Sequence, residues 1–260
     1  MLHLAHAAQQ RHQAALVRKV DCDVVILAIH FFSSLGLSQL WVCLGSGKKI
    51  RDIPIHPLSA QLGPSRCLAL PLFHAVTACD TVSQFLGCGK KSAWSAWQST
   101  PGLTDTLVAL TSEPQSEMGP QCQHMCTLER FVVVMYSKGC GLERVNQATH
   151  RLFTSGKKTL EVLPTTQAAL CQHIRRAMLQ ASFFWSQATS VHQDIPDFHD
   201  WGGTMTAVVG SFRSGQPLRT AARPVPSFCS VDARSHTQGT ASAAELAFVA
   251  QVCANAKVDV

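Results

Sequence analysis

The chain is 260 residues long, 46% hydrophobic and 15% charged, with a formal net charge of +6. Those values exclude a highly charged, disordered polymer and leave room for one large globular domain or two small ones. The longest apolar run, Val24 to Ile29, reaches Phe32 only across His30, short of the roughly 20 residues a membrane-spanning helix needs.

Eleven cysteines are many and their number is odd. None forms a C-x-x-C pair, and the amino terminus (MLHLAHAAQQRHQ) is too interrupted by polar residues for a secretory signal. Reduced thiols in an intracellular protein follow, with no disulfide-linked partner and no membrane. Basic residues come in scattered pairs such as Lys48-Lys49, Lys90-Lys91, Lys157-Lys158 and Arg175-Arg176. They fit a solvated surface, or a nucleic-acid partner if they converge on one cleft.

In chain order, the alanine-rich Leu2 to Gln13 reads as a helix without an N-cap, and Ala14 to Val20 as a short buried strand. Val24 to Ile29 is ambiguous: β-branched residues and periodicity favour a strand, and length does not decide. Leu40 to Leu44 and Ile50 to Ile55 read as strands, the second at a sheet edge, joined by a turn at Gly45 to Lys49. That turn lacks the spacing of a phosphate-binding P-loop. Pro57 to Leu62 predicts a short helix that Gly63-Pro64 ends, and Ser65 to Thr77 a long apolar helix leading to Asp80.

Gly87 and Gly89 permit a tight bend, followed by Lys90 and Lys91. Such a bend either grips a phosphodiester backbone through exposed N–H groups or simply connects two helices. Trp94 and Trp97 share a helical face suited to core packing. Thr111 to Gln121 reads as a loop and Leu128 to Tyr136 as a buried helix. Pro164 to Ala188 predicts the clearest helix, with Leu170, Ile174, Met178, Ala181 and Trp185 in one stripe and His173, Arg175 and Arg176 on its wet side. Beyond Trp201, residues 204–260 lack periodicity and read as a disordered tail, with one lone helix over Glu245 to Ala256.

Two acidic turns stand out: Asp21 and Asp23 in VDCD, and Asp80 in ACDT. Each aspartate fits a helix cap or turn, or a ligand for a divalent ion. KVDCDVVILAI followed by FHAVTACDTVSQFLGCGKKSAW resembles the second half of a PIN-like nuclease domain of the flap endonuclease/XPG type. In that family a D-x-D turn precedes G-[SC]-D-[YT] and then a Gly-x-Gly helix-hairpin-helix. Leu2 to about Trp201 is similar to a group of transposon-associated proteins found repeatedly in animal genomes, which carry TDVVVLAIHFF and FTGCDTVSQFLGCGKKTAW.

The resemblance implies an α/β, PIN-like three-layer fold with a small parallel sheet, a helix-hairpin-helix insertion and a helical C-terminal part, its N-terminal strand missing. Residues 1–110 would form the partial nuclease core, 111–121 a loop and 122–203 a helical extension. It also implies a helix, not a strand, starting near Asp23. Asp21, Asp23 and Asp80 would be catalytic and hold Mg²⁺ or Mn²⁺, and Gly87, Gly89, Lys90 and Lys91 would bind the backbone of DNA or RNA, in the nucleus.

The family's remaining aspartates and glutamates have no counterpart here: Met1 stands where an acidic E-E-A-D-T-R stretch would have ended. Ala78 replaces the family's usual glycine before Cys-Asp. A two-metal reaction needs several carboxylates to hold both ions, so the metal would be bound weakly or not at all. The expectation is a truncated, inactive nuclease-like domain of mobile-element origin, or a non-catalytic remnant that binds nucleic acid or protein. A chain too incomplete to fold stably is a third reading. In the relatives a W-x-x-D-x-x-G-x-W segment follows Trp201; GGTMTAVVG would arise from it by a one-nucleotide shift of frame. Cys122, His124 and Cys126 supply metal donors without a second pair to complete a zinc site, and His74 near Cys79 reads as a core histidine beside a buried thiol.

Overall fold

In a computed structural model, residues 1–19, 22–44, 50–114, 119, 121–156 and 163–201 are described. The expectations for Asp21, the Gly45 to Lys49 turn, part of the 111–121 loop and the 204–260 tail lie outside those residues. The described chain is α/β and mostly helical, with a small mixed sheet.

Three strands, β1 (Ala14–Lys19), β2 (Gln39–Leu44) and β3 (Arg51–Pro54), lie in the order β1-β2-β3. β1 runs parallel to β2, with Val17 opposite Val42, and β3 runs antiparallel to it, with Ile53 opposite Val42. The sheet is therefore mixed rather than parallel, because β3 follows β2 directly and only an antiparallel return suits so short a connection. β2 is the central strand and buries Leu40 and Val42. β1 was expected to be buried but is an edge strand: among the described residues it pairs on one side only, and Leu16 is exposed.

Helix α1 (Leu2–Gln9) precedes β1, and α2 (Cys22–Leu35) makes the crossover from β1 to β2. The segment that β-propensity favours as a strand is thus helical. Val25, Ile26, Leu27, Ala28 and Ile29 are all buried, since α2 packs against β2 on one side and α3 on another. A helix buried on most of its circumference is apolar all round and loses its period of 3.6.

α3 (Ile55–Val76) comprises two arms across a break at Gly63, whose φ of 75° and ψ of 166° are non-helical. Glycine permits that conformation, and Pro64 suits the first turn of the second arm. The apolar second arm buries Leu70, Leu72, Phe73 and Val76. Residues 77–89 then form an irregular connector to α4 (Lys90–Ser99), longer than a tight helical hairpin. Within it the amide and carbonyl groups of Cys79 and Val82 pair reciprocally at 3.3 Å.

α5 (Leu103–Ser112), α6 (Gln123–Tyr136) and α7 (Val145–Thr154) follow. α8 (Gln167–Met178) continues into a π-helical segment, Leu179–Trp185. The stripe of Leu170, Ile174, Met178, Ala181 and Trp185 is buried. His173, expected on the wet side, is buried too: Nε2 donates to the Val76 carbonyl at 2.7 Å and Nδ1 lies 3.3 Å from Ser83 Oγ. Trp97 is core, as its spacing from Trp94 suggested, and its Nε1–H donates to Thr104 Oγ1 at 2.9 Å. No helix of the described residues is long and apolar enough to cross a membrane, and no disulfide joins the described cysteines.

Candidate metal centre and nucleic-acid interface

Strand β1 delivers the chain to the start of α2, so Cys22 and Asp23 occupy that helix's first turn beyond the strand's carboxyl end. Open α/β sheets place their ligands at such ends. The second arm of α3 brings His74 to the same place. Its Nε2–H donates to Asp23 Oδ1 at 2.7 Å, and the Cys22 thiol lies 3.7 Å from that oxygen. One donor atom from each of Cys22, Asp23 and His74 falls within 4.8 Å of the others, a group that could hold a metal ion. Among the described residues no other cluster of His, Cys, Asp or Glu meets that condition, so Cys122, His124 and Cys126 do not converge.

Burial and the nearby Lys90 ammonium push the His74 imidazole below the usual histidine value, against the Asp23 bond and the Asp23 and Asp80 charges. At neutral pH it is a neutral ring donating Nε2–H. Burial pushes the Asp23 carboxyl up, but the His74 bond and charge, the Cys22 thiol and the Lys90 charge together hold it below its ordinary value. The Trp185 ring, 5.7 Å from that of His74, covers the imidazole.

Asp80 is exposed, immediately after Cys79, and its charge reaches His74. Asp23's charge in turn reaches Cys79. The charges of Asp23 and Asp80 both act on one imidazole, but Asp80 stays outside the Cys22–Asp23–His74 group. Cys22 and His74 were not expected as ligands. The only hint was Cys22's place between two aspartates, while nothing local marks His74, since the contact spans fifty-one positions.

The expected backbone-gripping residues divide. Gly87, with a φ of 77°, and Gly89 are exposed, and Gly89 stands at the N-cap of α4, where it has no side chain to offer the first amides. Lys91 is exposed at the start of α4. Lys90 instead turns inward and is 5% exposed. Its Nζ donates to the His74 carbonyl at 2.5 Å and to Thr77 Oγ1 at 2.8 Å, closing the end of α3. Lysine favours helix carboxyl ends, where carbonyls lack partners. Farther along α4, Ser95 lies one turn beyond Lys91 and accepts from the exposed Lys138 Nζ at 3.0 Å.

The Cys22–Asp23–His74 group, with Asp21 outside the described residues, is a poor donor set for Mg²⁺ or Mn²⁺. Magnesium demands near-octahedral oxygen ligation, and both ions favour carboxylates, carbonyls and water. The described group offers one carboxylate, already bonded to an imidazole, beside a thiol. Comparisons with protein-family models, curated proteins and solved structures return no match.

Proposed function

We propose that this chain is a PIN-like, flap-endonuclease-type domain of mobile-element origin that binds the backbone of DNA or RNA and no longer hydrolyses it. The observation that carries the reading is the surface at α4. Two exposed glycines lead into the start of α4, whose cap residue Gly89 carries no side chain, and the exposed Lys91 and the Lys138–Ser95 pair lie on the same helix or against it. Free amides at a helix start attract phosphate oxygens, and flanking lysines add charge without sequence preference. The placement of Asp23 just beyond the carboxyl end of β1 is what the resemblance implies and supports the scaffold. The poor fit of Cys22, Asp23 and His74 to magnesium supports the loss of hydrolysis.

Fluorescence anisotropy with labelled single-stranded, hairpin and flap DNA and RNA tests this reading across a salt series. Binding should weaken steeply with salt, and Lys91→Glu should reduce the logarithmic salt slope by about one or two. With Mg²⁺ or Mn²⁺ present the strands should stay intact. Cleavage that Asp80→Asn abolishes would restore the enzyme. No binding to any strand would leave the protein-interaction remnant instead.

A further inference from the structure

We propose that Cys22, Asp23 and His74 form a site for a zinc-class divalent ion, with three protein ligands and one position open to solvent. The inference stands on the donor set alone and goes beyond the nucleic-acid reading. A thiolate, an imidazole and a single carboxylate oxygen are the ligand types that Zn²⁺ takes, and they are a poor set for magnesium.

Geometry agrees. Tetrahedral zinc with ordinary ligand distances places neighbouring donors about 3.3–3.6 Å apart. Cys22 Sγ already lies 3.7 Å from Asp23 Oδ1, and His74 Nε2 lies 2.7 Å from it. The second pair must open by about 0.6 Å, the Cys22 and His74 donor atoms lie within 4.8 Å of each other, and Asp23 has a second oxygen to offer. Cys22 and His74 are buried, whereas the Asp23 side chain is 19% exposed, so water approaches on that side.

Charge and protons balance as well. A Cys22 thiolate and the Asp23 carboxylate cancel the two charges of the ion, and the His74 ring stays neutral. The hydrogen now on His74 Nε2 moves to Nδ1, freeing Nε2 to ligate, and the Cys22 thiol loses its proton to solvent. One net proton is released for each ion bound, as expected when a metal takes a thiol ligand. The Lys90 ammonium, whose charge reaches Asp23, stays on the His74 carbonyl and need not move.

The test uses the full chain, reduced and stripped of metal, titrated with CoCl₂, ZnCl₂ and MgCl₂ alone. Cobalt should give a thiolate charge-transfer band and the visible bands of a tetrahedral ion, zinc should displace it, and excess magnesium should not. Cys22→Ser should abolish the charge-transfer band and weaken zinc by at least about tenfold, since even outer partners of a ligand are worth that much. Cys171→Ser, outside the donor group, should leave both unchanged. An unaltered cobalt spectrum in Cys22→Ser, or displacement of cobalt by magnesium, would overturn the proposal.

X-ray absorption of the zinc-loaded wild-type chain decides the matter even if the variant fails to fold. One sulfur with nitrogen and oxygen ligands supports the site; no sulfur, or two or more, rejects it. Anisotropy in parallel separates the two ideas. A zinc site of this composition on a chain that binds no nucleic acid retains this inference and removes the functional reading.

Discussion

The carboxylate of Asp23 accepts a 2.7 Å hydrogen bond from His74 Nε2 across fifty-one residues of sequence. That bond ties the first turn of α2 to the last turn of α3, the two helices that pack most extensively on each other. Removing the acceptor leaves a buried N–H without a partner, which costs about 1–3 kcal/mol. Asp23→Ala should therefore lower the free energy of unfolding by about 2 kcal/mol. Asp23→Asn, which keeps an oxygen facing the ring, should lose less. Urea denaturation of both variants against wild type measures the difference, and equal losses would show that the hydrogen bond is not the source.

Adjacent lysines should behave oppositely. Lys90 is buried with its ammonium on the His74 carbonyl and Thr77 Oγ1, while Lys91 is exposed. Lys90→Met preserves most of the apolar stem but strips two buried acceptors of a charged donor, a loss of roughly 2–3 kcal/mol. Lys91→Met should change stability by under about 0.5 kcal/mol, yet weaken binding to single-stranded DNA at low salt. Thermal melts and anisotropy on the same two proteins check both halves.

How far the sequence leads depends on where each signal is stored. The Gly63-Pro64 break, the Leu170-to-Trp185 stripe and the strands around Leu40 and Ile53 are local patterns, and they stand in the fold where the residues imply. α2 misleads because burial on several sides erases its periodicity. His173 misleads because flanking Arg175 and Arg176 suggest a wet face, whereas Val76 and Ser83, about ninety residues upstream, supply its hydrogen bonds. The site divides in the same way. Asp23 and Asp80 are visible as acidic turns, but His74 joins Cys22 and Asp23 in one group of candidate donors only through packing of α2 on α3. No spacing rule along the chain records that contact.

Buried histidines give the fold a pH dependence. Burial pushes His30 below the ordinary 6.5, against its hydrogen bond to the Cys67 carbonyl. His173 is lowered by burial and by the Arg176 charge, against its bond to the Val76 carbonyl. Both are therefore neutral in the folded chain over a range where the unfolded chain already binds protons. The unfolded state then takes up more protons as pH falls, so stability declines in the acid direction. Their contribution is fully present above about pH 6.5 and is lost as pH drops through the lowered folded values. The urea midpoint should fall between about pH 7.5 and about pH 5.5, with a shallower decline in His173→Gln. A midpoint that rises toward acid would contradict this account.

Ala78 holds a φ of 99° in the turn before Cys79 and Asp80, a left-handed conformation that alanine resists and glycine does not. The strain is worth about 1–3 kcal/mol. Replacement by glycine removes it, but forfeits about 0.8 kcal/mol of methyl burial at a 3% exposed site, together with about 0.5–1 kcal/mol of backbone entropy. These effects nearly offset one another, so Ala78→Gly should leave stability unchanged or raise it by up to about 1 kcal/mol. Ala75→Gly, three residues earlier and fully buried within α3, has no strain to relieve and should cost about 1.5–2 kcal/mol. Ala78→Val should cost more still, because a β-branched side chain fits a positive φ worst. Chemical denaturation of the three variants ranks them. Equal losses in the two glycine variants would mean that the backbone at Ala78 is not strained.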